Sequence, residues 1–198
     1  AGGEMNIEDL IADEQVVITI SHAGYIKRTP LSEYKTQNRG GVGQKSAGTR
    51  DQDFLEHMYV ATNHQYMLFF TQKGKCFWLR VYEIPEGSKQ AKGRAIQNLI
   101  NIEDDDKVKA FICTQDLRDE EYTSNHYIVM CTKQGQVKKT SLEQYSRPRQ
   151  NGINAITIKD GDELLEAKLT DGNSKVLVAA KNGKMVRFDE SKTRPMGR

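Results

Sequence analysis

The sequence predicts an all-β fold, a propeller-like array of four-stranded antiparallel blades. Three observations predict it. Four segments share one hairpin outline, their turn glycines recur at a period of about fifty residues, and no stretch sustains helical periodicity beyond a couple of turns.

The hairpins are VVITISHAGYIKRTPLSEY from Val16, MLFFTQKGKCFWLRVYEI from Met67, YIVMCTKQGQVKKTSLEQY from Tyr127 and KVLVAAKNGKMVRFDESKT from Lys175. Each is a strand-like run, a short turn closed by glycine, and a second strand-like run. The turn glycines Gly24, Gly74, Gly135 and Gly183 stand 50, 61 and 48 residues apart. A polar excursion from Asp116 to Asn125 accounts for the long step, since insertions in repeat proteins fall in loops. A third apolar run recurs at Leu55 to Ala61, Val108 to Cys113 and Leu164 to Leu169, with Ile11 to Ile20 as the opening counterpart. Three to four strands per unit follow, enough for a blade, and the unit ranges are 7–53, 54–104, 105–160 and an incomplete 161–198. Ile7 to Ala12 could start a helix with Asn6 as cap, but it feeds directly into a strand. The second hairpin strands do not alternate cleanly. Two positions past each glycine stands an apolar residue (Ile26, Cys76, Val137, Met185), whereas four past stands Arg28, Trp78, Lys139 or Arg187, the blur expected of twisted, bulged strands.

After each hairpin comes a connector of glycine and cations: Lys35 to Arg50, Gly87 to Arg94, Arg147 to Gly152, and Thr193 to Arg198. The last stops where a fifth unit would begin, so a closed array would make this chain a fragment of a ring.

With 198 residues and 37% hydrophobic content the chain can bury a core. Three widely spaced cysteines, Cys76, Cys113 and Cys131, form neither a CxxC pair nor a His/Cys cluster, which points to a reducing compartment and away from a disulfide frame or zinc site. No apolar run approaches the roughly 18 residues of a membrane span, and no signal core follows the N-terminus; the expected location is the cytoplasm. Net charge is only +2, but basic blocks at the connectors alternate with acidic ones such as Glu103 to Asp106 and Asp160 to Glu166. Such blocks are either ordinary solvated loops or a repeated basic face.

Catalytic patterns are absent from the sequence. The glycine cluster Gln37-Asn38-Arg39-Gly40-Gly41-Val42-Gly43-Gln44-Lys45 misses a Walker A motif because Gln44 separates Gly43 from Lys45, and it misses a dinucleotide fingerprint because Ser46 stands where a third glycine is needed. His22, His57, His64 and His126 are isolated, and the paired carboxylates sit in polar turns where no pKa shift is implied. Nucleic acid is the partner that a repeated cationic connector suits, since spaced positive charges neutralise phosphates along a curved path.

Several stretches carry a resemblance: Glu8 to Ala12, Ser21 to Lys27, Pro30 to Tyr34, Gln37 to Gly43, Arg94 to Leu99, Gly135 to Thr140, Asp160 to Leu164 and Arg194 to Gly197. In order, and over essentially the whole chain, they resemble the C-terminal, DNA-wrapping domain of the bacterial DNA gyrase A subunit. The resemblance implies a β-pinwheel, with about four blades of a six-bladed ring present, neighbouring blades exchanging strands, and duplex DNA wrapped around a basic perimeter. The glycine cluster is similar to the gyrase A box, Q-R-R-G-G-R/K-G, which implies DNA binding by Gln37, Asn38, Arg39, Gly40, Gly41, Val42, Gly43 and Lys45. Asn38 and Val42 replace two basic positions of the box, while Gln37, Gly40, Gly41 and Gly43 keep its frame, which favours gyrase over the equivalent domain of topoisomerase IV. Further contacts are expected on the rim at Lys27, Arg28, Arg50, Lys89, Lys92, Arg94, Lys138, Lys139, Arg147, Arg149 and Arg194. The family further implies no catalytic residue, cofactor or metal in this fragment. It would be a monomeric piece of a type II topoisomerase that uses ATP and Mg2+ elsewhere and in which the gyrase A and gyrase B proteins form an A2B2 enzyme. A protein-binding propeller is the alternative of a different class.

Overall fold

The computed structural model describes residues 7–35, 53–173, 175–179, 185–189 and 195–198. Its strands, in chain order, are β1 (Gln15–Ser21), β2 (Tyr25–Pro30), β3 (Leu55–Thr62), β4 (Tyr66–Thr71), β5 (Lys75–Arg80), β6 (Arg94–Ala95) and β7 (Val108–Thr114). They continue with β8 (Tyr127–Thr132), β9 (Val137–Ser141), β10 (Ile153–Asn154), β11 (Leu164–Thr170), β12 (Lys175–Ala179) and β13 (Met185–Asp189). Two short helices, α1 (Leu31–Lys35) and α2 (Glu120–Ser124), and single 3-10 turns complete the described residues. The expected helix start near residue 7 is one such turn, Ile7–Leu10; Asn6 lies outside the described residues.

Every sheet is antiparallel and each is built on one hairpin. The strand orders are β3-β1-β2-β6, β10-β5-β4-β7, β11-β8-β9 and β12-β13. The first two share one plan: the hairpin lies in the middle, the strand that follows it pairs on one side, and a two-residue strand from the connector of the next hairpin pairs on the other. Thus Arg94 and Ala95 lie opposite Ile26 and Tyr25, and Ile153 and Asn154 lie opposite Cys76 and Lys75. This is the strand exchange that the resemblance implies.

The three described hairpin turns are closed by the same chemistry. Three residues before the glycine, the hydroxyl of Ser21, Thr71 or Thr132 accepts from the amide one residue past it, at 3.1, 3.1 and 3.0 Å. An aspartate then reaches back from just before the following strand. Asp53, Asp106 and Asp162 accept from the amides of Ala23, Lys73 and Gln134 at 2.8, 3.0 and 2.9 Å, tying the third strand to the hairpin tip. Seven residues past the glycine a short helical turn begins, at Leu31, Val81 and Leu142.

The chain forms two compact units, residues 1–65 with 79–99, and residues 66–78 with 100–198. The first buries Val16, Ile18, Ile20, Ile26, Val81 and Ile84 completely or nearly so. The second has a continuous core in which Leu68, Phe70, Ile128, Met130, Leu142 and Tyr145 are fully buried. The polar excursion at 116–125 is folded rather than loose: Leu117 enters this core, and the Asp119 side chain caps α2 by accepting from the amides of Glu121 and Tyr122.

Blurred alternation in the second hairpin strands has a simple origin. In β5 five consecutive residues are buried, in β2 no residue is exposed, and in β9 three in a row are buried. A strand covered on both faces carries no wet register, so Trp78 and Lys139 lie inside and Arg28 is half-buried.

Candidate nucleic-acid interface

The connector after the second hairpin, Gly87 to Arg94, lies along β2. The amide of Arg28 donates to Pro85 O at 2.9 Å, the amide of Gly87 donates to Arg28 O at 3.0 Å, and the Thr29 hydroxyl donates to Gly87 O at 2.7 Å. Gly93 then brings the connector onto the hairpin. Its φ of +85° is a left-handed conformation, and a Cβ there would strike the carbonyl of Ile26, so glycine alone fits. Gly152 does the same in the second unit, with φ +73° and the Phe77 ring 2.7 Å from where a Cβ would stand.

Lys27 fastens this connector from beneath. It is 7% exposed, and its Nζ donates to the carbonyls of Ser88, Lys89 and Ala91 at 2.8, 2.6 and 2.7 Å. Burial pulls its ammonium below the ordinary lysine value and Glu33 opposes that pull. Three acceptors use three N–H donors, which only the charged form has. From the connector so fixed, Lys89 stands 4.4 Å from the centre of the Tyr34 ring and Lys92 stands 4.1 Å from that of Tyr25. Arg94 is exposed on β6.

In the second unit, Trp78 Nε1 donates to Tyr145 O at 3.0 Å and Lys138 Nζ donates to Ala155 O at 3.3 Å. Lys139 covers the Tyr127 ring at 4.3 Å. Arg147 and Arg149 are exposed, with Arg147 held 2.8 Å from Glu143.

Of the cations expected on a rim, then, Lys92, Arg94, Arg147 and Arg149 are exposed, and Arg28 and Lys89 are half-buried. Lys27, Lys138 and Lys139 differ from that expectation: they are 7, 9 and 4% exposed, because their ammoniums are taken up by carbonyls and a ring inside their own units. The box-like stretch Gln37 to Lys45, with Arg50 and Arg194, lies outside the described residues. Asp106 and Asp162 lie in acidic blocks noted in the sequence, which do not mark them as turn locks; that each lock falls 27 to 32 residues past its turn glycine is a readable signal. The cysteines are free, and burial raises the Cys113 thiol to about 11. Among the described residues no cluster of three metal-ligating side chains occurs, and no helix is long and apolar enough to cross a membrane.

A family model described as DNA gyrase C-terminal domain, beta-propeller, matches residues 15–62, 65–115, 126–171 and 174–198, one match to each hairpin. The chain belongs to the DNA gyrase C-terminal domain family. Among its curated relatives, the DNA gyrase A subunit of Aeromonas salmonicida is 41% identical over 99% of this chain, and that of Staphylococcus epidermidis (strain ATCC 12228 / FDA PCI 1200) is 45% identical over 98%. The chain spans 21% of the length of each. Among solved structures, the C-terminal domain of DNA topoisomerase IV matches with a TM-score of 0.75 at 31% identity, covering 94% of this chain and 55% of that one.

Membership in the gyrase C-terminal domain family accounts for the four hairpins and their exchanged strands. It also gives the box-like stretch a place in the repeat. Gly41 and Gly43 follow Gly24 by 17 and 19 residues, the spacings that separate Gly152 from Gly135 and Gly93 from Gly74. The box therefore falls at the connector position of the first hairpin.

Proposed function

We propose that this domain binds duplex DNA through its connectors and bends it, serving as the wrapping domain of the gyrase A protein. One observation carries the reading. Gly87 to Arg94, Ser146 to Gly152 and Lys35 to Arg50 contain cations and not a single acidic residue, in a chain whose net charge is only +2. Among the described residues Lys92, Arg94 and Arg149 have no acidic partner, and all three are exposed. Contact then falls to Lys89, Lys92, Arg94, Arg147, Arg149 and the box cations Arg39 and Lys45, while Lys27 holds its connector in shape and Lys138 and Lys139 are engaged inside their own unit. Bending 20 to 30 base pairs through 40 to 90 degrees costs about 1–6 kcal/mol, which distributed phosphate contacts offset better than one patch.

In the whole enzyme this places the domain in the cytoplasm beside the chromosome, joined to the rest of the gyrase A protein and, through it, to the gyrase B protein in an A2B2 assembly. ATP and Mg2+ would act in other parts of that enzyme during negative supercoiling. The likeness to the topoisomerase IV domain favours a second reading, the same DNA contact in the sister enzyme, and the box separates the two. Replacing Arg39 and Lys45 together by methionine is expected to reduce the linking-number change that the domain imposes on a nicked circle closed by ligase, with duplex affinity changed less. Unchanged writhe would remove the box from the wrapping path and favour the sister enzyme.

A further inference from the structure

The carbonyls that meet Lys27 fix the direction of the connector's other polar groups. The described peptide bonds are all trans, and in a trans peptide the N–H points opposite to the C=O. The carbonyls of Lys89 and Ala91 face the buried Nζ at 2.6 and 2.7 Å, so the next amides, those of Gln90 and Lys92, face away from it. Neither amide has a hydrogen-bond partner among the described residues, whereas the Ala91 amide between them donates to Ser88 O at 3.1 Å and closes the turn. Gln90 and Lys92 are both exposed. Two unpaired donors thus stand on the outer side of a loop whose inner side is a buried cation.

Charge adds to direction. A carbonyl that accepts from an ammonium polarises its peptide, which makes the N–H at the other end a stronger donor. From Gly87 to Arg94 the chain carries no acidic residue, and the side chains of Lys92 and Arg94 are exposed. An oxyanion suits such a surface better than water does, because its bond to each amide is charge-assisted. We propose that Gln90 and Lys92 form a main-chain phosphate seat, in which their backbone amides donate to phosphoryl oxygens and Lys27 is the positioning residue that turns them outward. As a step in DNA contact this rests on the reading above, and the oxygens then belong to the duplex backbone; a free phosphate ion would meet the same amides.

Two measurements on the 198-residue chain test it. In the first, backbone amide resonances are followed while inorganic phosphate is added, against chloride at matched ionic strength. The Gln90 and Lys92 amides should move downfield and saturate with phosphate only. The response should vanish in Lys27→Met but survive in Lys92→Met, which alters a side chain and not the amide. Amides that do not respond in the wild-type chain overturn the seat, and a response that survives in Lys27→Met overturns the role of Lys27. In the second, duplex binding is measured across salt. Lys27→Met should weaken binding several-fold with the slope of log affinity against log salt unchanged, since a neutral amide displaces no counterion. Lys92→Met should instead lower that slope by about 0.9. A slope lowered by about 0.9 in Lys27→Met would mean that its ammonium itself neutralises a phosphate and would overturn the positioning role. Should the wild-type chain bind no duplex while the two amides still saturate with inorganic phosphate, the DNA reading fails and the seat stands as one for the free ion. Circular dichroism checks each variant. If Lys27→Met does not fold, Lys27→Gln, which keeps N–H donors without the charge or the reach, takes its place with the same losses expected.

Discussion

The first and second sheets have the same strand order and the same locked turn, yet three residues past the turn glycine one has Lys27 and the other Phe77. Both side chains are buried, and each underlies the glycine that admits the exchanged strand, Gly93 over Lys27 and Gly152 over Phe77. Connector length differs along with the filling. From the helical turn to the exchange glycine, the connector over the first sheet runs from Val81 to Gly93 and that over the second, two residues shorter, from Leu142 to Gly152. The longer loop folds its carbonyls over an ammonium; the shorter one has an aromatic ring beneath it. The frame of the repeat is thus separable from its filling, and a buried lysine in this family of positions reports loop shape rather than DNA contact.

Exchanging the fillings should break the comparison most visibly. Phe77→Lys puts an ammonium where the shorter loop is shaped around a ring, and it is expected to lower unfolding free energy by about 3–5 kcal/mol in a denaturant titration. A loss under about 1 kcal/mol would mean that the second connector can also crown a cation. The converse, Lys27→Met, removes a costly buried charge but leaves three carbonyls without their donor, for a smaller expected loss of about 1–3 kcal/mol. Amide exchange in Ser88 to Lys92 should rise with it; if it does not, Lys27 is not what shapes that loop.

How much of this is legible varies with distance along the chain. The turn glycines stand out because Gly24, Gly74 and Gly135 adopt φ near +90°, a conformation that selects glycine locally. Hairpins and the third strands follow from apolar runs. The exchanged strands are not visible in spacing, because β6 and β10 are two residues long and carry no period. Nor is the burial of Lys27, whose acceptors lie 61 to 64 residues downstream. A lysine beside a basic connector reads as surface charge until the loop that covers it is seen.

The smallest effect sharpens what the two sheets share with the third. The Ser21 hydroxyl and the amides of Ala23 and Phe54 hold the Asp53 carboxyl below its ordinary value of 3.8. For Asp162 burial pushes upward, but the Thr132 hydroxyl and the amides of Gln134 and Glu163 prevail and the carboxyl is again lowered from 3.8. A carboxylate depressed by folding stabilises the protein above its unfolded value and ceases to do so as pH falls through the folded one. Asp53→Asn/Asp162→Asn should therefore flatten the acid limb of a stability-against-pH curve below pH 3.8 and leave its slope at neutral pH unchanged. An acid limb of unaltered slope would show that the turn locks do not titrate with folding.

The most direct test of the DNA contact is closure of a nicked plasmid by ligase with increasing amounts of this chain at low ionic strength. Bending by the acid-free connectors predicts a progressive change in linking number that fades as salt rises. Closed circles with the same linking number at every protein concentration would contradict it.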